Sequence, residues 1–136
     1  MMNEPISSIM TRDLYTVTPD DSLEKVKEIF SEKQIHHMPV VVEEDELVGL
    51  ITTSDLLWLN ESFDSYKYVK VDRVMTKKLA VLEPDDKIGT AAQVFLRNWF
   101  HALPIVKAGT KKLLGIVTTF DILSYSFKKE YPGEKI

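Results

Sequence analysis

Two segments of the chain place a threonine and an aspartate three residues apart, a spacing that supports hydrogen-bond chemistry. They are Thr52 with Asp55 and Thr118 with Asp121, each preceded by a glycine three residues before the threonine. One interpretation is a capping box that satisfies free N–H groups at a helix start. The other is ligand binding, since an ionised aspartate can accept two hydrogen bonds from a vicinal diol while the threonine and helix N–H groups face a phosphate. Because the arrangement occurs twice, binding is favoured over a simple cap.

The two motifs belong to an internal repeat that covers most of the chain. Identical residues recur at an offset of 65 from Met10 onward, and at an offset of 66 after one turn. The offset changes because the second copy has one extra residue in the turn between two predicted strands, where insertions are tolerated. The identities include Thr11 with Thr76, Leu14 with Leu79, Pro19 with Pro84, His36 with His101, Pro39 with Pro104 and Val41 with Val106.

Each copy has the pattern of a βαββα unit: a short extended segment, a helix, a hairpin of two strands and a closing helix. In the first copy the extended segment ends at Pro19, and apolar residues recur at helical spacing from Leu23 to Phe30. The closing helices are expected to begin near Ser54 and Phe120. The predicted strands are Met38–Val42 and Leu47–Thr52 in the first copy, and Leu103–Lys107 and Leu113–Thr118 in the second.

The repeat sets the expected domain organisation. We place the first repeat at residues 6–61, a linker at 62–70, the second repeat at 71–127 and a frayed, charged tail at 128–136. The predicted fold class is α/β (α+β), with the two units packed sheet to sheet about a pseudo-twofold axis, because about sixty residues bury too little surface to be secure alone. The closing helices are expected to direct two adjacent apolar residues each inward, Leu56 with Leu57 and Ile122 with Leu123.

The composition excludes several classes of function. Seventeen Lys and Arg against 21 Asp and Glu give a net charge of −4, which argues against binding to nucleic acid or to an anionic membrane surface. The absence of cysteine excludes disulfides, thiolate zinc sites and a cysteine nucleophile. No apolar run approaches the roughly 18 residues of a membrane span, and the N-terminus lacks the features of a secretory signal. We therefore expect a soluble, cytoplasmic protein.

Taken together, these motifs resemble those of a tandem pair of CBS domains, an arrangement called a Bateman module. The resemblance rests on Met10–Pro19, His36–Val41, Gly49–Asp55 and their counterparts in the second copy. It implies a stand-alone regulatory module without catalysis or a required cofactor, whose two clefts hold an adenosine compound such as AMP, ADP, ATP or S-adenosylmethionine. It also implies a homodimer, because CBS pairs commonly dimerise into a disk.

The resemblance assigns ligand-binding residues to each cleft. Each cleft would combine the Thr-x-x-Asp of one repeat with the extended segment and pre-proline strand of the other, so that apolar walls hold the adenine and the aspartate holds the ribose. The first cleft is implied to contain Thr52, Asp55, Thr76, Leu79, Ala80, Phe100, His101 and Ala102. The second is implied to contain Thr118, Asp121, Thr11, Leu14, Tyr15, Ile35, His36 and His37.

The phosphate end of the implied site departs from the family's strongest nucleotide binders, which add Lys or Arg there. The residue before each aspartate is Ser54 or Phe120, so polyphosphate binding is less expected than adenosine binding. The histidines could donate to a phosphate, with a charge that rises below neutral pH. His36 and His37 would point to opposite sides of an extended segment, which argues against a metal site. Other candidate cations are Arg12, Lys77 and Lys78.

Three classes of function remain open at this point. The leading hypothesis is a sensor that binds an adenosine compound and signals to a partner by a conformational change. The alternative is a ligand-free scaffold for dimerisation or protein docking, whose clefts Tyr15 and Phe100 could fill. The apolar run Leu56–Leu59 favours a subunit contact. An enzyme is the least supported class, since the sequence has no Gly-rich phosphate loop, nucleophile elbow or metal cluster.

Overall fold

The computed structural model describes residues 2–135, and they form a mixed α/β fold in which the same order of elements occurs twice. Each copy has a helix, a two-stranded hairpin and a closing helix, as the repeat predicts. Short 3-10 helices cover Ile6–Ser8, Glu43–Asp45 and Phe63–Tyr68. The other elements are α1 (Leu23–Lys33), β1 (His37–Val42), β2 (Glu46–Thr52), α2 (Thr53–Trp58), α3 (Val71–Val74), α4 (Ile88–Arg97), β3 (Ala102–Val106), β4 (Leu113–Thr118) and α5 (Thr119–Glu130).

Helix α1 begins directly after its capping residue, Ser22, and its apolar face is buried. The Ser22 side chain accepts a hydrogen bond from the Lys25 N–H (3.2 Å), which satisfies one of the free donors of the first turn. Leu23, Val26 and Phe30 are buried, as their helical spacing predicts. Helix α4 repeats this with buried Ile88, Ala91 and Phe95. The apolar faces of both helices are therefore part of the hydrophobic core.

The hairpins agree with the sequence to within one residue at each strand end. Strands β1 and β2 are antiparallel, with Pro39 opposite Leu50, and β3 pairs with β4. The extended segment of each copy is reduced to a single parallel bridge, Val17 with Val40 and Leu82 with Ile105. The leading β element of each repeat is thus one residue pair long.

The described chain falls into two compact units, and each includes a segment whose sequence lies in the other repeat. The first-repeat unit comprises Leu14–Leu79 with Lys111–Leu113. The second-repeat unit comprises the described chain up to Asp13, Ala80–Thr110 and the described chain from Leu114 on. Consequently the segment around Thr11 packs with the second repeat, and the segment around Thr76 packs with the first.

The segment expected to be a linker contributes to the core of the first-repeat unit. Tyr66 is 3% exposed and Val69 is 4% exposed, and both join the cluster that contains Leu23 and Ile51. The Val69 carbonyl also accepts the Leu23 N–H (2.9 Å) at the start of α1. The aperiodic sequence of this segment reflects a 3-10 helix, whose short turns give no α-helical stripe.

The expected burial in the closing helices is correct for one residue of each adjacent pair and wrong for the other. Leu56 and Ile122 pack against the two cores, whereas Leu57 and Leu123 are 79% and 67% exposed. Helix α5 continues to Glu130, so the expected tail begins within this helix.

Candidate functional site

The first Thr-x-x-Asp motif forms a complete capping box at the junction of β2 and α2. Thr52 Oγ1 accepts a hydrogen bond from the Asp55 N–H (3.2 Å), and Asp55 Oδ2 accepts one from the Thr52 N–H (2.9 Å). Both residues are half-buried. The box uses Oδ2, so the aspartate holds its own helix start with one of its two oxygens.

The second motif repeats this geometry at the junction of β4 and α5. Thr118 Oγ1 accepts the Asp121 N–H (3.2 Å), and Asp121 Oδ2 accepts the Thr118 N–H (2.9 Å). The capping interpretation is therefore confirmed for both motifs. Any ligand-binding role must come from the surroundings of the boxes and from the oxygen that the cap does not use.

A segment from elsewhere in the chain lies beside each box. The Thr76 N–H donates to the Leu50 carbonyl (2.9 Å), and the Leu50 N–H donates to the Thr76 carbonyl (3.0 Å). Thr11 and Ile116 exchange the same pair of bonds at 2.9 and 3.0 Å. Leu50 and Ile116 each lie two residues before a box threonine. We call Thr52, Asp55 and Thr76 the Asp55 cluster, and Thr118, Asp121 and Thr11 the Asp121 cluster.

A glycine in each strand permits this approach. A Cβ built on Gly49 would lie 2.6 Å from Met75 Sδ. A Cβ built on Gly115 would lie 2.8 Å from Met10 Sδ and 2.8 Å from the Thr11 carbonyl oxygen. These separations are too short for real atoms, so the glycines leave room for the neighbouring segments.

The backbone carbonyl groups of the two repeat-equivalent histidines accept hydrogen bonds from the first residues of the closing helices. The Thr53 N–H donates to the His36 carbonyl (3.1 Å), and the Thr119 N–H donates to the His101 carbonyl (3.0 Å). The side chains of His36 and His101 are exposed. Each pre-proline segment is thereby fixed next to a capping box, and its imidazole faces solvent.

The residues expected in the two clefts are divided between the two units, and their role as a binding set stays a prediction. The first-repeat unit holds Leu14, Tyr15, Ile35, His36, His37, Thr52, Asp55, Thr76 and Leu79. The second-repeat unit holds Thr11, Ala80, Phe100, His101, Ala102, Thr118 and Asp121.

Two of the candidate phosphate-binding cations have surface partners. Arg12 Nη2 donates to the Ser7 carbonyl (3.2 Å), and Lys77 Nζ lies 3.2 Å from Asp72 Oδ1. Lys78 is exposed. An exposed ion pair such as Lys77 with Asp72 contributes little energy and breaks readily. The expected role of these cations in binding phosphate therefore stays a prediction.

A groove of about 640 Å³ in the second-repeat unit runs along α5 and includes Asp121. We call it the α5 groove. The expected cleft residues do not include its members Ser124 and Lys128, although their spacing from Asp121, three and seven residues, places all three on one helix face. The groove is lined by Ser8, Ile9, Asp121, Ser124, Tyr125, Lys128, Lys129 and Pro132.

A three-residue network holds the N-terminal segment to α5 beside this groove. Glu4 Oε1 accepts the Tyr125 hydroxyl (2.7 Å) and lies 2.8 Å from Lys129 Nζ. The hydrogen bonds from Lys129 and then Tyr125 hold the pKa of Glu4 below its ordinary value. The same bonds raise the pKa of Lys129 and of Tyr125. Glu4 thus links the N-terminal segment to Lys129 and Tyr125 of α5 within the unit.

The first-repeat unit has a different groove, of about 480 Å³, between α1, α2 and the 3-10 helix at Phe63–Tyr68. Its floor includes Phe30, Leu56 and Tyr66, and Asp55 is not part of its lining. Lys27 Nζ lies 4.5 Å from the centre of the Phe63 ring at its edge. This groove is more apolar and separate from the Asp55 cluster.

Two kinds of feature are absent from residues 2–135. No helix there has the length and apolar character needed to cross a bilayer. Within the same residues, no three His, Asp or Glu side chains are grouped so that they could hold a metal ion.

Comparison with known proteins identifies the family from both sequence and structure. A family model described as CBS domain matches residues 6–60 and 71–128. The solved structure of CBSX2 from Arabidopsis thaliana in complex with AMP has 28% sequence identity and a TM-score of 0.83, and the match covers 93% of this chain and 98% of that one. The CBS domain pair of protein MJ0100, solved with 5′-methylthioadenosine and S-adenosyl-L-methionine, is 22% identical with a TM-score of 0.77, covering 92% and 97%; this likeness concerns the fold alone.

The curated relatives are longer proteins. Homoserine O-acetyltransferase from Methanosalsum zhilinae is 31% identical over 120 residues, which is 88% of this chain and 23% of that protein. The chain spans 21% to 47% of the length of the curated relatives compared. Because the family model matches most of the chain in two successive segments, the chain belongs to the CBS domain family and is a tandem pair of such domains.

Proposed function

We propose that this CBS pair is a regulatory module that binds an adenosine compound and uses the carboxylates of Asp55 and Asp121 to hold the ribose diol. The observation that carries the proposal is the duplicated cluster: a capping box with a neighbouring threonine segment, built at the same distances in both units. A helix start needs only one cap, and many sequences supply one. The repetition of the whole arrangement, including the glycine and the docked segment, favours a shared binding role.

The chemistry of each cluster suits a ribose. The cap occupies Oδ2 of the aspartate, and in the hydrogen bonds of residues 2–135 Oδ1 takes no part, so it can accept a hydroxyl of the diol. Hydrogen bonds to an ionised acceptor are roughly twice as strong as neutral ones. The proposed contacts to the adenine come from the apolar and backbone groups expected in the two clefts.

The likeness to CBSX2 supports the ligand class. That protein was solved with AMP, at 28% identity and with nearly all of both chains matched. We propose AMP, ADP, ATP and S-adenosylmethionine as the compounds to test. We also propose a cytoplasmic location, and a protein partner that responds when ligand shifts the population of the module's conformations.

The test is a calorimetric titration of the full chain with each of the four compounds, using the variants Asp55→Asn and Asp121→Asn. Asparagine keeps an oxygen that can accept the cap hydrogen bond but removes the charge, so the fold is preserved while the diol contact is weakened. We expect binding that weakens about 10-fold or more in at least one variant, since losing a charge-assisted hydrogen bond typically costs about 1.5 to 3 kcal/mol.

The matched control is Asp85→Asn, which changes an exposed carboxylate outside both clusters. Its affinity should equal that of the original chain. If no adenosine compound binds to the folded protein, or if both cluster variants bind as well as the control, the proposed ligand contact is wrong.

A second candidate function is dimerisation or protein docking, and one observation favours it. Leu57 and Trp58 on α2 are 79% and 83% exposed, although large apolar side chains at a helix surface usually find a partner. We propose a homodimer for this reason. Sedimentation at micromolar concentration should show a dimer that weakens in Leu57→Ser, and a purely monomeric profile of the original chain would contradict it.

A further inference from the structure

The α5 groove contains a cation that no expected phosphate contact includes. Asp121, Ser124 and Lys128 lie on one face of α5, and Ser8 faces them from the N-terminal segment. A volume of about 640 Å³ falls in the range of small-molecule sites, roughly 300 to 1,000 Å³. Asp121 therefore lies both in a capping box and at one end of a groove large enough for part of a ligand.

Charged groups of opposite sign lie at different positions along this groove. Lys129 forms an exposed ion pair with Glu4, with 2.8 Å between Nζ and Oε1. Lys128 forms no ion pair with any other residue in the described part of the chain. Seven residues of helix separate Asp121 from Lys128, which corresponds to about 10 Å along the axis. The groove thus runs from a carboxylate, past the Ser124 hydroxyl, to an ammonium group two turns away.

The first repeat has no counterpart of this arrangement. At the repeat offset of 66, Ser124 corresponds to Trp58 and Lys128 corresponds to Ser62. Helix α2 ends at Trp58, and Asn60 takes a left-handed conformation (φ 57°), so Ser62 lies beyond the helix. The Asp55 cluster consequently lacks both the helical face and the cation.

We propose that the α5 groove binds the phosphate chain of a nucleotide whose ribose is held by Asp121, with the terminal phosphates contacted by Lys128 and Ser124. This inference rests on the proposed function. A 5′ phosphate chain leaves the ribose on the side opposite its 2′,3′-diol, so a diphosphate or triphosphate reaches along the helix while its diol remains at the carboxylate. The Asp121 cluster then prefers ADP or ATP, and the Asp55 cluster discriminates little among adenosine, AMP and ATP.

In the groove, Asp121 repels phosphate and Lys128 attracts it, and the balance of the two sets how much Lys128 contributes to ATP binding. The Asp121 carboxylate repels phosphate, but it lies about 10 Å from Lys128, which exceeds the Debye length of about 8 Å at physiological salt, so the repulsion near Lys128 is largely screened. Lys128 is exposed, so its contact with phosphate is screened and modest. We expect its loss to weaken ATP binding about 3- to 10-fold, as for one charge-assisted contact.

The test is calorimetry on the full chain in the Asp55→Asn background, in which the Asp55 cluster binds more weakly and the Asp121 cluster dominates, without added divalent cations. Adenosine, ADP and ATP are titrated into this protein and into forms that also carry Lys128→Gln, Lys128→Arg or the control Lys107→Gln. We expect Lys128→Gln to weaken ATP and ADP but not adenosine, Lys128→Arg to retain the preference, and Lys107→Gln to change nothing. An unchanged ratio of ATP to adenosine affinity in Lys128→Gln overturns the inference.

Pyrophosphate alone separates this inference from the proposed function. If adenosine and its phosphates all fail to bind, the ribose contact is wrong, and pyrophosphate then tests the groove. Pyrophosphate binding that is lost in Lys128→Gln supports an anion site that does not need the nucleoside. Absence of pyrophosphate binding in that case, or binding that Lys128→Gln leaves unchanged, overturns the anion site as well.

Discussion

At the level of single residues, each box aspartate serves the fold and the proposed ligand with different oxygens. Oδ2 of Asp121 accepts the Thr118 N–H at 2.9 Å, and the same bond is present at Asp55. Because the cap fixes the orientation of the carboxylate, the other oxygen is held in place before a ligand arrives. Preorganisation of this kind reduces the entropy lost on binding.

Removing the cap should destabilise the protein, and the kind of substitution should matter. We expect Asp121→Ala to lower the free energy of unfolding by about 1 kcal/mol, because it removes the hydrogen bond that Asp121 accepts in the capping box while the Thr118 side chain remains. Asp121→Asn should retain most of that stability, since its amide oxygen can still accept the Thr118 N–H. Urea unfolding of the two variants measures the difference, and equal losses would mean that the capping bond contributes little.

The contact of Glu4 with Lys129 and Tyr125 should make stability depend on acid pH. The pKa of Glu4 is lowered from about 4.5 by these hydrogen bonds, so the folded state favours the ionised form. Its stabilisation is complete above the unfolded-state pKa and is lost as pH falls through the folded-state pKa. Between about pH 6 and pH 3 the original chain should therefore lose more stability than Glu4→Gln, as measured by thermal unfolding. Parallel losses in both proteins would rule out this role for Glu4.

At the level of elements, the glycine in each closing strand determines whether the neighbouring segment can dock. A Cβ on Gly115 would meet both a methionine side chain and the Thr11 carbonyl oxygen at 2.8 Å, whereas a Cβ on Gly49 would lie 3.1 Å from the Thr76 carbonyl oxygen. A flexible methionine can move, but a backbone carbonyl that is paired with a strand cannot move without breaking its bonds.

Gly115→Ala should consequently cost more stability than Gly49→Ala. Overpacking of a close contact typically costs about 1 to 3 kcal/mol, and we expect about 2 kcal/mol or more at Gly115 and about 1 kcal/mol at Gly49. Gly133→Ala is the control, because nothing lies within 4 Å of a Cβ built there. Chemical unfolding of the three variants gives the order, and a reversed order would contradict the proposed docking constraint.

The elements themselves could largely be predicted from the sequence, because local patterns specify them. The apolar spacing from Leu23 to Phe30 predicts α1, and β-branched runs predict both hairpins. The segment around Tyr66 could not be predicted, since its burial depends on packing against α1 rather than on its own periodicity. The exposure of Leu57 was also beyond prediction, because hydrophobicity does not say which of two adjacent leucines faces the core.

At the level of the whole molecule, duplication and divergence explain both what the two repeats share and where they differ. The boxes, glycines and docked segments are the same to within 0.1 Å in their hydrogen-bond distances. The closing helices differ, since α2 has 6 residues and α5 has 12. The added length brings Ser124 and Lys128 alongside Asp121, and the sequence motif alone, which ends at the aspartate, gives no sign of the groove.

Ribose recognition by Asp55 and Asp121 is tested by comparing ligands that have the diol with ligands that lack it. Titration of the full chain with ATP, AMP and their 2′,3′-dideoxy forms changes only the groups that Asp55 and Asp121 are proposed to hold. We expect the dideoxy forms to bind about 10-fold or more weakly, because the carboxylate oxygens are left unpaired when the hydroxyl groups are missing. Equal affinity for the two forms would show that the carboxylates do not hold the ribose.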